Sequence, residues 1–135
     1  MAKKPILITK GYLNGLHLHC RVYGHPEWEE GSGAGALPKE NNAFIELHVS
    51  LQGSWQEVVD TFLHELIEMS MLLKELCYTQ VNQAHYDYTT RHFHMDHGQF
   101  TEMLSVASGL AVQVLTGERP LEKAWCRVNN RKVVK

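Results

Sequence analysis

The sequence is poor in the features that would give it a covalent scaffold, a membrane anchor or a polyanion-binding surface. Its three cysteines, Cys20, Cys77 and Cys126, are odd in number and widely separated. That excludes a disulfide framework and a Cys-x-x-Cys metal knuckle, and fits a reducing, cytoplasmic setting. No apolar run approaches the roughly 18 residues of a membrane span, because His64, Glu65, Glu68 and Lys74 interrupt the longest candidate. The apolar run Ile6–Ile8 near the start is too short for a secretion signal, so no export is expected. Thirteen Lys and Arg stand against fifteen Asp and Glu, a net charge of −2. With no basic surplus, neither a nucleic acid nor a membrane surface is an expected partner. Internal repeats and low-complexity tracts are absent. What is there is a chain of 135 residues, 44% hydrophobic and 21% charged, which predicts one domain with a real core. Its one excess is nine histidines, which directs attention to metal or proton chemistry.

The periodicities predict an α+β fold: a small antiparallel or mixed sheet of two to four strands, packed on a central helix and a second, closing helix. Residues 6–23 read as one or two strands, joined near Asn14-Gly15. Residues 24–42, with Pro26, Pro38, three glycines and the acidic Glu27-Trp28-Glu29-Glu30, read as a long exposed loop. Residues 43–49 alternate apolar with polar and read as a strand. Ser54 and Glu57 have capping-box spacing, and Val59, Phe62, Leu63, Leu66, Ile67, Leu73 and Leu76 carry a helix to about Leu76. A second helix is predicted from about Gln99 to Thr116, with Asp96 or His97 near its start. The crossing between the helices is polar and rich in histidine. Beyond Pro120 the chain reads as a solvated end, with residues 127–135 a basic tail.

Two constellations carry chemistry. In the first helix, His64-Glu65-Leu66-Ile67-Glu68 places His64 and Glu68 four residues apart on one face, where both can bind one metal ion. Glu65 stands beside them, where a carboxylate can act as base toward a metal-activated water. Flanking residues are uncharged, and polar groups buried there need partners. A plainer reading is a favourable helical pair worth about 0.2–0.5 kcal/mol without metal. The second constellation, His92, His94, Asp96 and His97, gathers three imidazoles and a carboxylate in six positions and is a further ligand source. Its plainer reading is a polar, pH-sensitive surface. His17, His19 and His48 read as strand-face residues, and His25 and His85 as loop residues.

The first constellation resembles the His-Glu-x-x-His helix of the zincin metallopeptidases, with Glu68 in place of the second histidine. The layout is similar to the minimal zincins of phage and bacterial genomes, and the strand over 43–49 resembles the one that borders their active-site cleft. The resemblance implies a zinc or other divalent transition-metal cofactor held by His64, Glu68 and a third ligand. It also implies Glu65 as catalytic base and a protein or peptide substrate lying along the edge of that strand. His97-Gly98-Gln99-Phe100 is similar to the His-Gly-x-x-Phe element of the SprT-like branch, one residue short, which implies His97 as third ligand; Glu102 is the alternative. Taken alone, His92-x-His94-x-Asp96-His97 resembles the motif of metallo-β-lactamase-type hydrolases, a fold for which this chain is too short. The rival expectation is a non-catalytic module that binds a host protein through the acidic loop, Tyr23 and Trp28.

Overall fold

The computed structural model describes residues 3–13, 18–36, 44–73, 77–79, 91–93 and 96–132. Strands β1 (Ile6–Leu13), β2 (Leu18–His25), β3 (Gly33–Ala36) and β4 (Phe44–Ser50) form a mixed sheet in the order β1-β2-β4-β3. β1 and β2 are antiparallel, β2 and β4 parallel, and β3 and β4 antiparallel. Helices α1 (Trp55–Leu73), α2 (His97–Leu115) and α3 (Pro120–Val128) complete the fold, and β5 (Cys77–Thr79) pairs with β6 (Arg91–Phe93) in a separate two-stranded ribbon. The architecture is therefore α+β with a small mixed sheet.

Alternation assigns the faces. Cys20 and Val22 of β2, with Ile45, Leu47 and Val49 of β4, point inward and are fully buried. They meet Val58, Phe62, Leu66 and Met69 of α1, and Val106, Leu110 and Val114 of α2. Each such side chain contributes about 1.5–3 kcal/mol by leaving water. α1 begins at the expected capping box: the Glu57 amide donates to Ser54 Oγ at 3.2 Å, and the Ser54 amide to Glu57 Oε1 at 3.4 Å. α2 begins two residues before the predicted position because Asp96 caps it, accepting from the Gln99 amide at 2.8 Å while its own amide donates to Gln99 Oε1 at 2.9 Å.

The loop predicted over 24–42 is corrected where it is described, over 24–36; residues 37–42 lie outside the described residues. Gly24 and His25 end β2, and Gly33–Ala36 form the edge strand β3. A Cβ on Gly33 would lie 2.8 Å from Glu65 Cγ and from Thr61 Cγ2, so glycine here lets α1 lie close over the strand. The solvated end predicted beyond Pro120 is also corrected. Pro120 opens α3 after Arg119 in the left-handed region, and Leu121, Ala124 and Cys126 are buried. Trp125 Nε1 donates to the Gly53 carbonyl at 3.0 Å, and Asn129 Nδ2 to the Leu51 carbonyl at 2.8 Å, which pins the turn between β4 and α1. The Asn14-Gly15 turn, His17, the predicted continuation of the first helix over 74–76, His85, His94 and the tail residues 133–135 lie outside the described residues.

Candidate metal centre and a second polar cluster

The α1 stripe is set by helical geometry. His64 and Glu68 project from one face, and His64 Nε2 lies 3.1 Å from Glu68 Oε2. The imidazole is 69% exposed and the Glu68 side chain 27%. Ligand atoms of His64, Glu65 and Glu68 all fall within 4.8 Å of one another, the one such trio among the described residues. Glu65 leans toward β3, where its carboxylate borders Gly33 and Gly35. A cleft of about 540 Å³ opens between residues 31–33 on one side and Asp60, Thr61, His64 and Glu65 on the other. A smaller recess of about 210 Å³ lies beside His64, Ile67, Glu68 and Met71. The donor set fits a divalent ion: two donors bound tetrahedrally at about 2.0–2.1 Å sit roughly 3.3 Å apart, close to the His64–Glu68 separation.

The other residues named from sequence are placed differently. Met71, near the end of α1, packs with Met103 of α2, and further back Leu63 and Ile67 share a groove with Leu104 and Ala111. The two helices thus run antiparallel, and His97, six residues before Met103, lies about 9 Å further along at 1.5 Å per residue. It is exposed at the first position of α2, and Glu102 is exposed one turn on; neither joins the trio. The Asp96 carboxylate is occupied as the helix cap. His92 falls in β6. The strand over 44–50 is internal to the sheet; the edge beside Glu65 is β3.

A second cluster lies on the sheet face turned away from the helices. Glu46 Oε2 lies 2.9 Å from His48 Nε2, and His48 Nδ1 lies 2.8 Å from His25 Nε2. Trp28 stacks on His25 at 3.7 Å and Tyr23 on His48 at 5.1 Å. This corrects two expectations: His25 is a strand residue, and Tyr23 and Trp28 are half-buried in ring stacks rather than exposed for a partner. Burial, and then repulsion from His48, push the His25 pKa below its ordinary value. Alternation over 44–50 signalled that Glu46 and His48 share a face; the parallel pairing that brings His25 to them had no local signal. Cys20 is no nucleophile, since burial pushes its thiol up to about 12.

Comparison of the chain with protein-family models, with curated proteins and with solved structures finds no match. No helix among the described residues is long and apolar enough to cross a membrane.

Proposed function

We propose that this protein is a small zincin-like metal-binding protein, with His64 and Glu68 as ligands to a divalent transition metal, and that it hydrolyses peptides with Glu65 as base. The observation that carries the reading is the convergence of the three side chains on one face of α1, 4.8 Å or less apart, at the mouth of a cleft walled by an edge strand. A zinc ion held by His64 and Glu68 would supply a Lewis acid for activating water. The edge strand β3 offers backbone groups with which an extended peptide can pair, and Glu65 leans over that strand, within reach of a water attacking a carbonyl there. With Glu65 as base rather than ligand, the described residues supply two ligands, and His97 reaches the third position only if the start of α2 moves toward α1. With Glu68 in place of a histidine, water at a bound metal would be less acidic than at a three-histidine site, so turnover at neutral pH is expected to be slow.

A second reading, a non-catalytic interaction module, draws on the groove between α1 and α2 and on Phe100, Leu104 and Val112, which are 42%, 41% and 59% exposed along α2. Zinc titration against a chromophoric chelator separates the two, using protein purified without metal resin. One equivalent bound by the parent, lost in His64→Ala, supports the metal reading; no binding favours the module. Peptide hydrolysis retained in Glu65→Gln would remove Glu65 from its role, whereas activity raised in Glu68→His would support the zincin resemblance.

A further inference from the structure

The outward sheet cluster has a fixed internal logic. An ionised Glu46 only accepts, so His48 Nε2 carries the hydrogen of that bond. A neutral His48 then offers a lone pair at Nδ1, and His25 Nε2 donates to it. One added proton leaves the chain intact, because a shared hydrogen still joins the rings and Glu46 balances the charge. A second proton does not: both facing nitrogens, 2.8 Å apart, become donors on like-charged rings.

The part of the fold held by this chain is the turn that leads into β3. Trp28 covers His25, its carbonyl accepts from Ser50 Oγ at 2.9 Å, the Pro26 carbonyl accepts from Gln52 Nε2, and the Ser50 amide donates to the Ser32 carbonyl at 2.9 Å. Residues 31–33, at the end of that turn, form one wall of the α1 cleft. A charged His25 binds the indole face more tightly, so when it is driven from His48, Trp28 leaves with it. The charged and titratable groups around the rings are Lys10 of β1, Arg21 and Tyr23 of β2, Glu46 of β4, and Glu27, Glu29 and Glu30 of the turn; β3 contributes none. Arg21 lies 3.8 Å over the Phe44 ring, and Glu46 is the carboxylate bonded to the chain.

We infer that Glu46, His48 and His25 form a proton-operated latch, which holds the Trp28 turn and β3 against the sheet and releases them when both rings are charged. Its effect on the metal cleft rests on the function proposed above; the latch itself does not. Amide hydrogen exchange on the full chain, corrected for intrinsic rates, reads it directly from about pH 7.5 to about pH 5. Protection of Ala34 and Ala36, whose amides face β4, is expected to fall by up to about tenfold per pH unit below the ordinary imidazole range, because the open form binds one more proton. Leu110 and Val114 in α2 should keep theirs. His48→Gln should flatten the β3 slope, and Trp28→Ala should lower β3 protection already at neutral pH. Flat β3 protection in the parent overturns the latch, as does a slope that persists in His48→Gln or a parallel loss at Leu110. Zinc affinity measured across the same range separates the two claims: β3 release in a protein that binds no zinc leaves the latch standing and removes the cleft reading.

Discussion

His64 is 69% exposed and pairs with Glu68, one turn on, whereas His48 is 20% exposed, bonded through both ring nitrogens and stacked on Tyr23. The α1 trio stands on a helix whose other face is anchored in the core, and its imidazole is largely in solvent. The sheet cluster is the reverse: its groups satisfy one another and hold backbone in place. Where polar side chains border water, a ligand can compete with water for them; where they are enclosed, their bonds hold one another and the nearby backbone.

That contrast can be broken by exchanging the measurements. The largest effect is expected for His64→Ala on zinc: affinity should fall by more than about 100-fold, the upper range for loss of a supporting residue, while His48→Ala, which removes no ligand, should change it far less. Chelator competition checks both. On urea unfolding of metal-free protein the order reverses. His48→Ala should cost about 1–3 kcal/mol, since it leaves partners of a half-buried bonded chain unsatisfied. Lowering the pH gives a further, smaller effect. His25 has a folded pKa below its unfolded one, so its contribution is fully present above the ordinary imidazole value and is lost as pH falls toward the folded one. The urea midpoint of the parent should therefore drop across that window more steeply than that of His25→Gln. The smallest effect is His64→Ala on metal-free stability, within about 0.5 kcal/mol, as for an exposed helical pair. A larger loss there would mean that the trio is structural after all.

The helices were legible because apolar spacing and capping residues are local: Phe62 and Leu66 on α1, and Met103, Leu110 and Val114 on α2, are buried where the period places them, although Phe100 and Leu104, on the same period of α2, are exposed. β3 was not, since Gly33-Ala34-Gly35-Ala36 has no side chain that favours a strand and is one because β4 offers it an edge. Pro120 reads as a stop but serves as the first residue of a helix, a difference decided by the buried face of Leu121 and Ala124. For the candidate site, the placement of His64, Glu65 and Glu68 on one helix followed from spacing alone. The remoteness of His97 from them depends on how α2 packs on α1, and the meeting of His25 with His48, 23 residues apart, depends on strand order. Neither is written in any short stretch of sequence.

The pins from α3 also bear on the order of folding. Trp125 and Asn129 reach back across 72 and 78 residues to the carbonyls of Gly53 and Leu51. Contacts so distant along the chain form late, because the intervening loop must be ordered before they are gained. A nascent chain can pair β1 with β2 and wind α1 soon after those residues emerge, but the corner at which α1 leaves the sheet stays unfastened until Asn129 has been made. The corner from which α1 departs is thus fastened by a residue synthesised 78 positions after the carbonyl that it holds.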